Sequence, residues 1–461
     1  MHTTGVVVEP SGAAPPTSQP PAARRRLGFA RDWFSCLVVV AVLVPVLYTE
    51  PWHTYLNQPQ IRSDALGYHL WVRAILDRDL DFCRFHIDTT GIVTFKRPTA
   101  ADPNHIRCGD IYPPGLALLQ LPVMAPLADH GANPRIANDA ENEAVVWMGG
   151  AALLLTCVLL VAIARRLRIP PWPTHVAVLT MLFGTGLFVF GTYNNGFTHV
   201  YLALGVAALM WAAVRTAQQG RSIGSATVAF LATFFIIEMR NIDAVIVVLL
   251  AAAYAVAILV REGQRSEQVS RLSLDLAPVV LGIIIATGGQ MILNHHFSGT
   301  WTVSSYGDQQ FIWESRMQRS VLFSYTRGLF TYWPVVAVVF AAGFAVRKAR
   351  PWTLLFGGLV GAMTVVYGFW SSWALGGGAG FGHRGFVELV PVGVIAFATA
   401  LAGLRRPSRL LVSGLAVLCA VLTFQLALQM WNRDFPEFVP TAHQYWSHMT
   451  GADALWRDWL P

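Results

Sequence analysis

An all-α integral membrane protein of about eleven transmembrane helices is predicted, with the N-terminus inside and the C-terminus outside, and three observations predict it. Of 461 residues, 54% are apolar and only 13% charged, with a mean hydropathy of +0.48, against roughly 25% charged in a soluble domain. Apolar windows of about 20 residues, the length that crosses a hydrocarbon core of about 30 Å, recur along the chain. Arginine clusters fall at alternate connections between these windows.

Residues 1–32 form an N-terminal tail whose first 23 residues, rich in Pro, Ala, Ser and Thr, lack the periodicity to bury anything and read as disordered and cytoplasmic. The transmembrane domain covers 33–430, with spans near 33–49, 144–164, 174–192, 197–214, 223–239, 242–260, 276–294, 328–346, 352–370, 386–403 and 410–430. The first span reads as an uncleaved anchor. Clusters at Arg24 to Arg26 with Arg31, Arg165 to Arg168, Arg215 with Arg221, Arg261 to Arg271, Arg347 to Arg350 and Arg405 to Arg409 then share the cytoplasmic side. Pro113–Ala128 is apolar, but a crossing there would invert every later cluster, so it reads as a surface or re-entrant helix. Residues 431–461 form an external interfacial tail carrying Trp431, Trp446, Trp456 and Trp459.

The net charge of +7 comes mainly from these topology-setting arginines and gives no argument for nucleic acid. Cys83 and Cys108 share the long external loop 50–143, where an oxidising compartment would let them pair and close a loop of about 25 residues; two unpaired thiols are the alternative. Cys-x-x-Cys and His-x-x-x-His spacings are both missing, and a structural or catalytic metal is not expected.

Polar chemistry gathers on the predicted external side. Asp64, in Ser63-Asp-Ala-Leu-Gly-Tyr68-His69, opens a segment whose Leu66, Leu70, Trp71, Ile75, Leu76 and Leu80 suggest an interfacial helix. Its carboxylate is either a reacting group or the cap of that helix. Asp77, Asp79 and Asp81 read as the solvated end of the helix rather than a cation site. Asn195 and His199 lie in a tight external turn, and Glu238-Met-Arg240-Asn241-Ile-Asp243 closes another span. Arg240 is either neutralised by Glu238 or Asp243, or presents its forked donors to a phosphate. Trp370-Ser-Ser-Trp373 leads into a glycine run and then His383-Arg384, with Glu388 one helical turn on as a local ion partner or a ligand group.

Asp64-x-x-Gly67-Tyr68, Tyr112-Pro-Pro-Gly115, the Asn195/His199 turn, Arg240-Asn241, Tyr325-Thr-Arg327-Gly328 and the Gly-rich approach to Arg384 together resemble the GT-C superfamily of bacterial membrane glycosyltransferases, over roughly residues 33–430. Relatives include the protein O-mannosyltransferases and the aminoarabinose transferase of lipid A. The resemblance implies a polyprenyl-phosphate-linked sugar donor, a glycan, lipid or protein acceptor, and inverting transfer on the outer face of the inner (cytoplasmic) membrane, in contact with membrane lipid and without a cofactor. It implies Asp64 as base. Many relatives carry a second carboxylate directly after it, where this chain has Ala65, which argues against a bridging metal pair. Displacing a polyprenyl phosphate needs cations for the departing group, and Arg240, Arg384 and Arg327 are the candidates. Tyr68, His69, Asn195, His199, Asn241, Trp373, His383 and Glu388 are candidate substrate contacts; belt anchors and structural histidines are the alternative readings of the aromatic and imidazole groups. A transporter or flippase of a lipid-linked or anionic substrate is the competing class, although paired interrupted spans marking an inverted repeat are not found.

Overall fold

The computed structural model describes residues 31–48, 61–85, 94–99, 102–128, 137–262, 266–303, 311–314, 316–370, 381–431, 435, 440–451 and 453. Residues 1–30, Trp373 with the glycine run 376–380, and Trp456 and Trp459 lie outside them.

Among the described residues seven helices, not about eleven, are long and apolar enough to cross a bilayer: Asp139–Arg166, His199–Gln219, Asn241–Val260, Val269–Ser298, Arg350–Phe369, Arg384–Gly403 and Arg406–Met430. The remaining windows are helical but short or broken, for local reasons. Helix α1 (Phe34–Tyr48) has 15 residues with Pro45 inside. The window at 174–192 divides into α5 (Pro171–Phe183) and α6 (Leu187–Thr192) around Gly184-Thr185-Gly186. Helix α8 (Ile223–Met239) ends where Arg240 turns extended, with φ −154°. The window at 328–346 breaks at Trp333-Pro334 into α12 (Leu329–Tyr332) and α13 (Val335–Ala345), because the residue before proline is pushed out of the helical region.

The other elements are α2 (Asp64–Leu76), α3 (Gly115–Met124), α4 (Asp139–Arg166), α7 (His199–Gln219), α9 (Ala244–Glu262), α10 (Ser266–Ser298), α11 (Gln318–Phe323), α14 (Arg350–Phe369), α15 (Val390–Gly403), α16 (Arg406–Trp431) and α17 (Ala442–Thr450). One hairpin departs from the all-α expectation: β1 (Thr94–Thr99) pairs antiparallel with β2 (Asp102–Asp110). In the bundle α7 packs on α4 and α8, α8 on α10, and α15 on α5, α13 and α14.

The described residues between α1 and α4 form a cap with an apolar core of Leu70, Trp71, Val72, Phe82, Phe85 and Met124, joined by Phe297 of α10. Helix α2 therefore does not lie on an interface with one face in water, as its pattern suggests. Residues Gly67 to Ala74 are all buried, because the polar side is buried as well: Arg73 donates to Glu141 Oε2 at 2.8 Å and lies 2.8 Å from its other oxygen as an ion pair, and His69 approaches the same carboxylate at 3.8 Å. Glu141 also completes a capping box with Asn138 at the start of α4, so one carboxylate ties cap to bundle. Burial and the neighbouring Arg73 push the His69 imidazole down to about 3. Arg84 pairs with Asp77 at 3.0 Å and Asp79 at 3.6 Å, while Asp81 accepts from the Cys83 amide. Cys83 and Cys108 are joined, with sulfurs 1.97 Å apart. Asp81 lies beside them, yet both sulfurs are committed to each other and offer no thiolate to a metal.

Candidate active site

Where the cap meets the bundle, charged side chains from four separate stretches converge. Asp64 is the first residue of α2, set there by Ser63, which takes a left-handed backbone (φ 50°) that residues with a side chain rarely adopt. Ser63 makes no side-chain capping bond. The Asp64 carboxylate instead accepts from the Tyr112 hydroxyl at 3.0 Å and from its neighbour Ser63 at 3.3 Å, and pairs with Arg384 at 2.9 Å, so its described partners are side chains rather than free amides of its own helix.

The spacing of the Asp-x-x-Gly-Tyr motif has a steric cause. A Cβ on Gly67 would stand 2.2 Å from the Tyr112 ring, so only glycine at this position lets Tyr112 lie against α2 and reach Asp64. Tyr68 packs on the same ring at 4.9 Å, and the Trp71 indole donates to the Tyr112 carbonyl at 2.6 Å. Just behind, the Tyr112 amide donates to Asp110 at 2.8 Å. Burial pushes the Asp110 carboxyl up to about 7, opposed by the amides of Tyr112 and Ile111.

A second network lies deeper. Arg240 donates to Glu388 at 2.7 Å and to the Tyr367 hydroxyl at 2.8 Å, with Asp243 at 3.7 Å. Glu388 also meets His199 Nδ1 at 2.7 Å, and the Arg240 guanidinium lies 3.5 Å from the same nitrogen. Glu388, one turn after Arg384, thus turns inward to Arg240 rather than pairing locally, and Arg384 reaches out to Asp64. Glu238, a candidate partner for Arg240, faces Gln290 instead, at 3.4 Å. Gly385 is the second place where a side chain is excluded: its Cβ would fall 2.2 Å from the Tyr367 hydroxyl that serves Arg240.

Asp64, His199, Arg240, Arg384 and Glu388 are therefore brought together. Other candidates fall elsewhere or play local parts. Asn195 donates to the Thr192 carbonyl at 2.6 Å inside its own turn, and Asn241 donates to the Val303 carbonyl at 2.9 Å. His383 is buried between the rings of Tyr367 and Phe386, 4.8 and 4.9 Å away. His69 belongs to the Glu141 tie, and Arg327 is buried next to Tyr332. Trp373 lies outside the described residues. Two participants were not singled out from sequence. Tyr112 sits in a motif but had no assigned role, and Tyr367 is one tyrosine in an apolar span, with no local signal to distinguish it.

No protein-family model matches the sequence, and no curated protein sequence does. In three dimensions the chain is similar to ArnT from Cupriavidus metallidurans in the apo state, with a TM-score of 0.50 and 14% identity over 88% of this chain and 65% of ArnT. It is also similar to the apo oligosaccharyltransferase of Archaeoglobus fulgidus, with a TM-score of 0.51 and 12% identity over 92% of this chain and 59% of that one. The chain thus spans less than two thirds of either protein. At these identities the likeness is one of fold alone: a polytopic membrane architecture shared with these two proteins.

Proposed function

We propose that the chain is a membrane glycosyltransferase that moves a sugar from a polyprenyl-phosphate-linked donor to an acceptor hydroxyl, with Asp64 as base and Arg384 as the cation for the departing phosphate. The observation that carries this reading is the Asp64–Arg384 pair, which sets a carboxylate and a forked guanidinium 2.9 Å apart at the seam between cap and bundle, within a fold of this type. In the transfer, the acceptor oxygen bonds to the anomeric carbon on the face opposite the leaving group. The bond from that carbon to the phosphate oxygen breaks, and its electron pair leaves with the polyprenyl phosphate. The hydroxyl proton passes to Asp64 and the new phosphate charge meets Arg384. The configuration at the sugar inverts.

Of the two parts the sequence suggests for Arg240, the proposal takes the neutralised one, with Glu388 as its carboxylate. With Glu388 and Tyr367 on its guanidinium, it acts in this proposal as a buried brace that holds Glu388 and His199 behind Arg384. The Cys83–Cys108 bond supports an oxidising, external setting for the cap and hence for the reaction. Purified protein offered a panel of polyprenyl-phosphate sugars should release polyprenyl phosphate from at least one when acceptor is present. Folded protein that releases none from any member, with crude envelope extract as acceptor source, contradicts the proposal.

A further inference from the structure

We infer that the end of the bundle opposite Asp64 binds an anionic phospholipid, with an acyl chain in an apolar cavity open to the side of the bundle and the phosphate at a basic rim. The cavity, of about 900 Å³, is walled by α7, α8, α9, α10 and α14, at the upper part of the roughly 300–1,000 Å³ range of small-molecule sites. Its place follows from two helices that join it to the site. Helix α7 begins at His199 and lines the cavity from Leu209 to Gln218, so the cavity runs from about 15 Å to about 30 Å below the site at a rise of 1.5 Å per residue. Helix α14 repeats the relation, with Trp352 at the cavity and Tyr367 on Arg240. The occupant therefore belongs to the other leaflet from the candidate donor.

The chemistry of the walls points to a hydrocarbon chain. Alanines of α7, α8 and α9 make much of the lining, giving width without donors or acceptors. Two polar groups that do face inward satisfy each other, the Tyr254 hydroxyl donating to Asp275 at 2.9 Å. Water filling such a space would be poorly bonded, whereas a lipid chain loses nothing by entering it. The rim supplies the sign of the headgroup. Arg221 lines the mouth and is exposed, donating to the Leu274 carbonyl at 3.1 Å. Arg166 and Arg215 each stand 5.6 Å from the Trp211 ring and adjoin the lining residues Leu167 and Thr216. The Arg221 guanidinium at the mouth, with Arg215 bonded to Ser222 next to it in the chain, suits a phosphodiester with net negative charge, as basic pockets between membrane helices do.

The test is native mass spectrometry of the full chain in detergent with phosphatidylglycerol, phosphatidylcholine or polyprenyl phosphate added. The wild type should retain phosphatidylglycerol several-fold better than phosphatidylcholine. Arg221→Gln should bring the two to parity, and Ala253→Phe, which fills the cavity, should lower both several-fold. Arg221 is on the surface, so its variant carries the test even if Ala253→Phe fails to fold. Equal retention of the two phospholipids by the wild type, or an unchanged preference in Arg221→Gln, overturns the inference. So does preferential retention of polyprenyl phosphate that Arg221→Gln abolishes, which would make the cavity a donor-lipid site.

Discussion

Two ion pairs stand side by side in this molecule, and they differ in what surrounds them. Arg240–Glu388 lies wholly inside the bundle, with side-chain exposures of 2% and 0%, and its groups are further bonded to Tyr367 and His199. Arg384–Asp64 joins the bundle to the cap, and Asp64 keeps 16% exposure. A buried pair sealed on all sides cannot exchange a partner without exposing an uncompensated charge, so it serves as structure. A pair at a seam, half formed by an element outside the bundle, can open and take a substrate group on each half. In the proposed reading, one arginine–carboxylate pair is a brace and the other a working pair, divided by burial.

Breaking the brace should have the largest effect. Arg240→Ala leaves Glu388 buried without its guanidinium, and loss of one member of a buried pair costs about 3–5 kcal/mol. Thermal unfolding in detergent should show a large loss of stability, and a variant as stable as the wild type would remove the distinction. Breaking the working pair should spare the fold and strike the reaction. Arg384→Ala is expected to retain a near wild-type unfolding temperature while transfer falls by about 10²–10³, the usual effect of deleting one electrostatic contact to developing charge. Arg384→Lys should recover part of that, since it keeps the charge but not the fork. Initial rates at saturating donor separate the three proteins.

Smaller effects sharpen the outer half of the comparison. Tyr112→Phe removes one hydrogen bond to the Asp64 carboxylate, and transfer should fall roughly tenfold with little change in stability, as expected for one bond to a charged group. Asp110→Asn should act through pH. Below about 3.8 the carboxyl is protonated in folded and unfolded chains alike and contributes no difference. As pH rises toward about 7 the unfolded chain ionises first, so the folded state loses stability across that window. The difference in unfolding temperature between variant and wild type should therefore grow in favour of Asp110→Asn from pH 4 to pH 8. His69 runs the other way, its folded form losing ground as pH falls below about 6.5, but it is present in both proteins and cancels from the difference.

Much of the fold was legible because hydropathy reports burial in lipid directly: the described residues of every predicted window are wholly or largely helical. The count of complete spans was not, since glycine pairs and the Trp333-Pro334 step break helices that remain apolar throughout. The cap was misjudged for a related reason. A helix with polar and apolar faces looks interfacial when the residue that buries its polar face, Glu141, stands 68 positions beyond Arg73. At the site, Asp64 and Arg384 were visible as charges next to membrane spans, which must be paired or used. Their pairing with each other was not visible, because the i,i+4 rule offers Arg384 only a local partner, Glu388. Long-range partners such as Tyr112 and Tyr367 carry no periodic signature and emerge only when the chain is folded.

The claim that Asp64 works as the base while Arg384 holds the donor is tested most directly by Asp64→Asn, which keeps the shape of the side chain and removes its basicity. Donor affinity and transfer rate are to be measured separately on the purified variant, with its unfolding temperature as a check on the fold. Donor should bind within a few-fold of the wild type, while transfer falls by roughly 10²–10⁴. Transfer at the wild-type rate, in a folded protein that binds donor, would contradict the assignment and leave Asp64 as a clasp between cap and bundle.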